Sequence, residues 1–101
     1  LVGGGGSARS VAGDFVAQWG EALRNVTTVI AEAGGRPEHL VRLTIFVTRL
    51  DLYRSRLAEA GEAWRRVLGR VYPCVALVEV SGLLEPGALV EIEATAAVPA
   101  R

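Results

Sequence analysis

Apolar residues recur at steps of three and four from Phe15 through Trp19, Ala22, Leu23, Val26, Val29, Ile30 and Ala33. That spacing places them on one face of an α-helix. Asp14 stands ahead of them as an N-cap, and Gly34-Gly35 offers the positive φ that closes a helix, so the pattern predicts a helix over 15–33. Arg36-Pro37-Glu38-His39 reads as a turn. From Val41 to Thr48 the period changes to two: Val41, Leu43, Ile45 and Val47 share one face, and Arg42, Thr44, Phe46 and Thr48 share the other. This β-branched alternation predicts a strand. Helical spacing returns in Tyr53, Leu57, Ala60, Trp64 and Val67 or Leu68, capped near Asp51 and ended by Gly69. Pro73 opens a second strand over 74–80, and Leu84-Glu85-Pro86-Gly87 turns the chain into a last strand over 90–98.

The order helix, strand, helix, strand, strand implies an α+β domain over 14–101, with two helices packed on one face of a sheet. The other face is expected to carry Val75, Leu77, Glu79, Glu91, Glu93 and Thr95 beside Arg42 and Phe46. So mixed a surface makes a poor core and suits contact with another subunit. Residues 1–13 show no periodicity and include four consecutive glycines, which predicts a flexible stretch. They lack both Gly-x-Gly-x-x-Gly and Gly-Lys-Ser/Thr, the patterns with which a backbone cradles phosphate.

Composition narrows the function. With Lys+Arg 11 against Asp+Glu 11 in 101 residues, the formal charge is zero, which leaves no footprint for a nucleic-acid backbone. One Cys and one His exclude a disulfide framework and a closed zinc site, so no metal is expected. No run approaches the roughly 18 apolar residues of a membrane span, and no secretory signal opens the sequence, so a soluble, cytoplasmic protein is expected. Half of the residues are hydrophobic and the mean hydropathy is +0.32. A domain this small buries only about 60 to 70% of its unfolded surface, so apolar area is left over, and self-association would cover it.

Several stretches together resemble the Rid family, also called the YjgF or L-PSP endoribonuclease-like family. They are Asp14-Phe15-Val16-Ala17-Gln18 leading to Ala22-Leu23-Arg24-Asn25-Val26, then Ala33-Gly34, Val41 to Thr48, Pro73 with Val78-Glu79-Val80, and Val90-Glu91-Ile92-Glu93-Ala94-Thr95-Ala96. The resemblance implies a chorismate-mutase-like (YjgF-like) α+β fold with a mixed sheet, a homotrimer, and small-metabolite clefts between subunits. It also implies hydrolysis of reactive enamines and imines to 2-keto acids and ammonia, with no cofactor.

Two departures bear on that activity. Deaminating members carry Pro-Ala-Arg-Ser or Pro-Ala-Arg-Thr where this chain has Pro73-Cys74-Val75-Ala76, so Val75 replaces the arginine that grips a substrate carboxylate. That grip holds two charge-assisted hydrogen bonds, worth about 3 to 6 kcal/mol together, or about a hundredfold to ten-thousandfold in rate. Leu77 stands where some members carry a cysteine. The second departure is the N-terminal hairpin and Ser-Gly-Gln segment that line the family's cleft, which are missing from this sequence. Glu91 matches the family carboxylate that positions the attacking water and shuttles its proton.

The candidate catalytic residue is therefore Glu91, with Val75, Leu77 and Arg42 as candidate ligand contacts. The expected partners are further copies of the chain and a small metabolite, and neither a membrane nor nucleic acid. The leading reading is a ligand-binding Rid-like trimer with imine hydrolysis weak or absent. The alternative is a hydrolase for a substrate without a carboxylate, and ribonuclease activity ranks below both. Other features have plainer readings: Cys74 as a small buried hydrophobe, His39 as a solvated turn residue, Arg65, Arg66 and Arg70 as a solvated helix end, and Trp19 and Trp64 as core.

Overall fold

The computed structural model describes residues 11–100, and its first element is helix α1 (Val11–Glu32). Phe15, Trp19, Ala22, Leu23, Val26 and Ile30 are buried as their spacing requires, whereas Val29 is about half exposed at 49%. Asp14 lies inside the first turn of α1 and does not cap it, because the helix already runs from Val11. Its carboxylate there still complements the positive end of the helix dipole. The flexible stretch expected over 1–13 falls on 1–10, outside the described residues, and on 11–13, which belong to α1.

The other end of α1 closes as its glycines predict. Gly34 takes φ 86°, its N–H donates to Ala31 O at 3.0 Å, and the Gly35 N–H donates to Ile30 O at 2.9 Å. This paired closure satisfies carbonyls that the helix leaves open. Gly35 is required by space, since a Cβ there would stand 2.7 Å from Val98 Cγ2 and 2.9 Å from Ile30 Cγ2. A single 3-10 turn, Pro37–His39, then leads to β1 (Leu40–Val47). His39 is half-buried, and its Nδ1 accepts the Arg36 N–H at 2.9 Å.

β1 is the central strand of a three-stranded mixed sheet ordered β2-β1-β3. It runs parallel to β2 (Cys74–Glu79) and antiparallel to β3 (Val90–Ala96). A register irregularity between Leu40 and Arg42 turns Leu40 inward and leaves Val41 half exposed, so Val41 does not join the buried row expected of it. The crossover from β1 to β2 is helical, but it is two helices where the spacing predicts one: α2 (Leu50–Ser55) and α3 (Leu57–Leu68), broken at Arg56 with φ −124° and ψ 30°. Asp51 sits within α2 and binds Arg49, so it caps nothing. The carboxylate that accepts the first N–H of α2 comes from the end of β2, where Glu79 Oε2 lies 3.0 Å from Leu50 N.

The core lies between the helices and β1 with β3, where Phe15, Leu23, Leu43, Ile45, Val47 and Val90 are at most 1% exposed. Trp19 ties α1 to α3 by donating its indole N–H to Ala60 O at 3.0 Å. Gln18, also buried, clamps the turn before β3: Nε2 donates to Gly87 O at 3.0 Å, and Oε1 accepts the Leu89 N–H at 2.7 Å.

The sheet register overturns the expected make-up of the open face. Leu43, Ile45 and Val47 pair with Val75, Leu77 and Glu79, so these three residues of β2 belong to the helix-covered side. The open face instead carries Cys74, Ala76 and Val78 beside Arg42, Thr44 and Phe46, with Thr95, Glu93 and Glu91 beyond. Cys74 is consequently exposed and not a buried hydrophobe. Alternation tells which residues of a strand share a face, but the pairing register decides which face meets the core. Among the described residues nothing covers this open face, and β3 has no second partner along its outer edge. An apolar trough of about 240 Å³ runs beneath that edge, lined by Val26, Val29, Ala94, Ala96 and Val98.

Candidate functional site

β2 is the sheet's other edge, and its helix-covered side does not close against α3. Between them lies a recess of about 290 Å³, floored by Val75, Leu77 and Ile45 and walled by both tryptophans and both tyrosines of the chain. α1 brings Trp19, α2 brings Tyr53, α3 brings Trp64, and the segment before β2 brings Tyr72-Pro73. Leu57, exposed at 54%, stands on the wall because the break at Arg56 turns it away from the core.

The rings are held by their polar ends. Trp19 Nε1 is spent on Ala60 O, and Trp64 Nε1 donates to Val71 O at 3.0 Å. Trp64 and Tyr72 lie parallel within 5° at 6.4 Å between centroids, while Trp19 and Tyr53 tilt by 38° at 5.4 Å. Tethered indoles lose little rotamer freedom when something docks on them. No charged side chain lines the recess, and neither does any Ser, Thr, His or Cys. The 101 residues contain no lysine, so no side-chain amine is available for a Schiff base. The phenols of Tyr53 and Tyr72 are therefore the only lining side chains with an exchangeable proton not already spent on a carbonyl.

The four residues singled out from sequence divide between the two sides of the sheet. Val75 and Leu77 line the recess, with Val75 47% exposed at its floor. Glu91 and Arg42 lie on the open face, Glu91 half-buried opposite Phe46 and Arg42 exposed opposite Thr95. Neither makes an ion pair or side-chain hydrogen bond among the described residues. One chain therefore does not bring Glu91 to Val75, because the sheet itself stands between them. Sequence reading missed Tyr53, Trp64 and Tyr72 as a common wall. Their signal was present in the helical spacing of Tyr53 and Trp64, which also fits a core, and in the aromatic placed just before Pro73. Among the described residues no three of His, Cys, Asp and Glu converge as metal ligands, and no helix is long and apolar enough to cross a membrane.

Helices on one side of a small mixed sheet, with the other side open among the described residues and a recess at the β2 edge, define the class as an α+β domain. A family model described as Endoribonuclease L-PSP matches residues 3–98, and the chain belongs to that family, the Rid or YjgF-like group. Rv2704 from Mycobacterium tuberculosis, a member of the YjgF/YER057c/UK114 family, is 38% identical and superposes with a TM-score of 0.70 over 97% of this chain and 76% of its own. The YjgF gene product of E. coli is 30% identical with a TM-score of 0.70, over 82% of this chain and 64% of its own. Protein DfrA from Myxococcus xanthus is 38% identical over 86 residues, which is 85% of this chain and 62% of that protein. The chain thus spans less than two thirds of the length of this curated relative.

Proposed function

We propose that the chain assembles through its open sheet face into a homotrimer whose clefts bind a small metabolite without a carboxylate, each cleft combining the recess of one copy with Glu91 of the next. The observation that carries this reading is the position of Val75. It lines a recess without charged groups, at the place where deaminating relatives hold a substrate carboxylate with arginine. A carboxylate entering there would lose its water and meet no cation, at a cost of several kcal/mol. Hydrolysis of imino acids to 2-keto acids is therefore weak or lost. Support for the assembly comes from the open face, where Phe46 and Val78 lie among Glu91, Glu93 and Arg42, which have no ion-pair partner among the described residues. Only a second chain can bring Glu91 to a Val75 recess.

The retained Glu91 favours a second reading, hydrolysis of a neutral imine or amide. At an amide the carboxylate takes a proton from water as the oxygen adds to the carbon and returns it to nitrogen as the carbon–nitrogen bond breaks. At an imine it makes two such transfers, one to nitrogen as water adds across the C=N bond and one from the new hydroxyl to nitrogen as the carbonyl forms and the amine leaves. Ribonuclease activity ranks below both, since zero net charge and a recess free of cations give a phosphate chain no grip.

The test runs in two arms. Sedimentation of wild type and Phe46→Glu reads assembly: the expected result is a trimer that the variant breaks into folded monomers, and a monomeric wild type overturns the cleft. Imines generated by an amino-acid oxidase, with semicarbazide trapping whatever is not hydrolysed, read the chemistry. Wild type is expected to be inert, with Val75→Arg gaining activity that Glu91→Ala removes. A wild type already active on imino acids, and silenced by Glu91→Ala, would show that another group holds the carboxylate.

A further inference from the structure

Most of the chain's aromatic side chains converge on one place. Of six aromatic residues, both tryptophans and both tyrosines line the recess beside β2, Trp19 from within the core, while Phe15 is wholly buried and Phe46 lies on the open face. A core would hide such rings, yet Tyr72 is 70% exposed and lies parallel to Trp64 within 5°. A large aromatic held outside the core, with its partner ring tethered through an indole N–H, is a prepared stacking surface.

The polar inventory of the same walls is short. Both indole N–H groups are spent on backbone carbonyls, and the remaining lining side chains are aliphatic apart from two phenols. The hydroxyls of Tyr53 and Tyr72 are the only side-chain polar groups of the recess without a partner among the described residues. Each can donate one hydrogen bond or accept one, and neither neutralises a charge. An anion would enter without a counter-ion. The parallel planes of Trp64 and Tyr72 favour a flat ring, and any cation preference given by the tilted Trp19–Tyr53 pair or by Glu91 of another copy is what an ammonium probe reads. Size adds a bound: an apolar cavity of about 150 Å³ holds a benzene-sized molecule, so a recess of about 290 Å³ has room for about two fused rings.

We infer that the recess selects flat, uncharged aromatic molecules of about two fused rings carrying one neutral hydrogen-bonding group, stacked on Trp64 and Tyr72 and read by the tyrosine hydroxyls. The inference rests on the proposed use of the recess as a ligand site and names the class of ligand. It also makes Val75 and Leu77 the apolar floor on which the far edge of such a ring system lies.

Three probes of similar bulk separate the chemistries: 2-naphthol, 2-naphthoate and phenyltrimethylammonium, titrated into the full chain and followed by calorimetry and tryptophan fluorescence. The expected order has 2-naphthol bound at least about tenfold more tightly than either ion. Tyr72→Ala, at an exposed site that leaves the core intact, should weaken 2-naphthol by about tenfold, and Tyr72→Phe by less because the stack survives. Val75→Arg should invert the order in favour of 2-naphthoate. Tighter binding of 2-naphthoate or of the ammonium by wild type, no saturable binding of 2-naphthol, or indifference to Tyr72→Ala would each overturn the inference. Running the titration on Phe46→Glu as well separates this idea from the assembly. A monomer that still prefers 2-naphthol keeps the ligand class while the trimeric cleft falls, and a trimer that prefers 2-naphthoate does the reverse.

Discussion

The two edges of the sheet meet the helices differently although they flank the same central strand. On the β3 side the rows of β1 are continued by Val90 at 0% and Ile92 at 2% exposure, pressed under α1. On the β2 side the same rows are continued by Leu77, half-buried, and Val75, 47% exposed, beside an open recess. The difference originates in α3. It faces the rest of the core with Ala60 and Ala63, which let it lie close to α1, and directs Trp64 to the β2 side, where the ring spans the gap. One side of the layer is completed as a core, and the other is left with rings and a cavity. The recess is a piece of hydrophobic layer that the chain does not fill itself.

The largest effect expected to separate the two sides comes from truncating equivalent rows. Leu43→Ala, at a site with no exposure, should cost about 2.5 to 5 kcal/mol in denaturant unfolding, whereas the half-buried Leu77→Ala should cost less than about 1.5 kcal/mol. Equal losses would erase the distinction between a closed and an open side. Next in size is the Gln18 clamp on the closed side. Gln18→Leu strands the Leu89 N–H and Gly87 O and should lower stability by about 1 to 3 kcal/mol, with faster amide exchange at Leu89. Gly34→Ala, which forces a Cβ into φ 86° at the end of α1, should cost about 1 to 2 kcal/mol, read as a lowered Tm with the recess undisturbed.

The smallest effect lies at the exposed start of α2. A hydrogen bond from Arg49 to Asp51, reinforced by charge, holds the Asp51 carboxyl below its usual range. Because the folded value is depressed, the pair stabilises above the unfolded carboxyl's pKa, and that contribution disappears as pH falls through the folded one. Asp51→Asn should therefore flatten the acid side of the stability profile slightly, and high salt should reduce the difference between variant and wild type by screening its charge part.

Much of this architecture was legible in the chain. The three-and-four spacing from Phe15 to Ile30 identified α1, and the alternation from Leu43 to Val47 identified the central strand. Local signals failed where two elements had to meet. Arg56 carries no breaker residue, yet the helix stops there, and Val41 has the right period for the core but is displaced by the irregularity beside Leu40. The candidate site was legible only in part. Val75 and Leu77 were found through their family positions, but assigning them to the same side as Glu91 was wrong, because strand alternation does not encode orientation. Tyr72 was invisible as a wall residue, since an aromatic before a proline has no periodicity to read.

By itself the sequence determined which stretches are helical and which extended, their order apart from the split at Arg56, and the family, because these follow from side-chain period and residue identity along a local stretch. The tertiary structure alone decided which residues share a surface. The parallel pairing of β1 with β2 sends Val75 to the helices and Cys74 to the open face, and the convergence of four separate segments builds the aromatic recess. Register and convergence depend on contacts between residues far apart in the chain, and a period of two or of 3.6 carries no record of them.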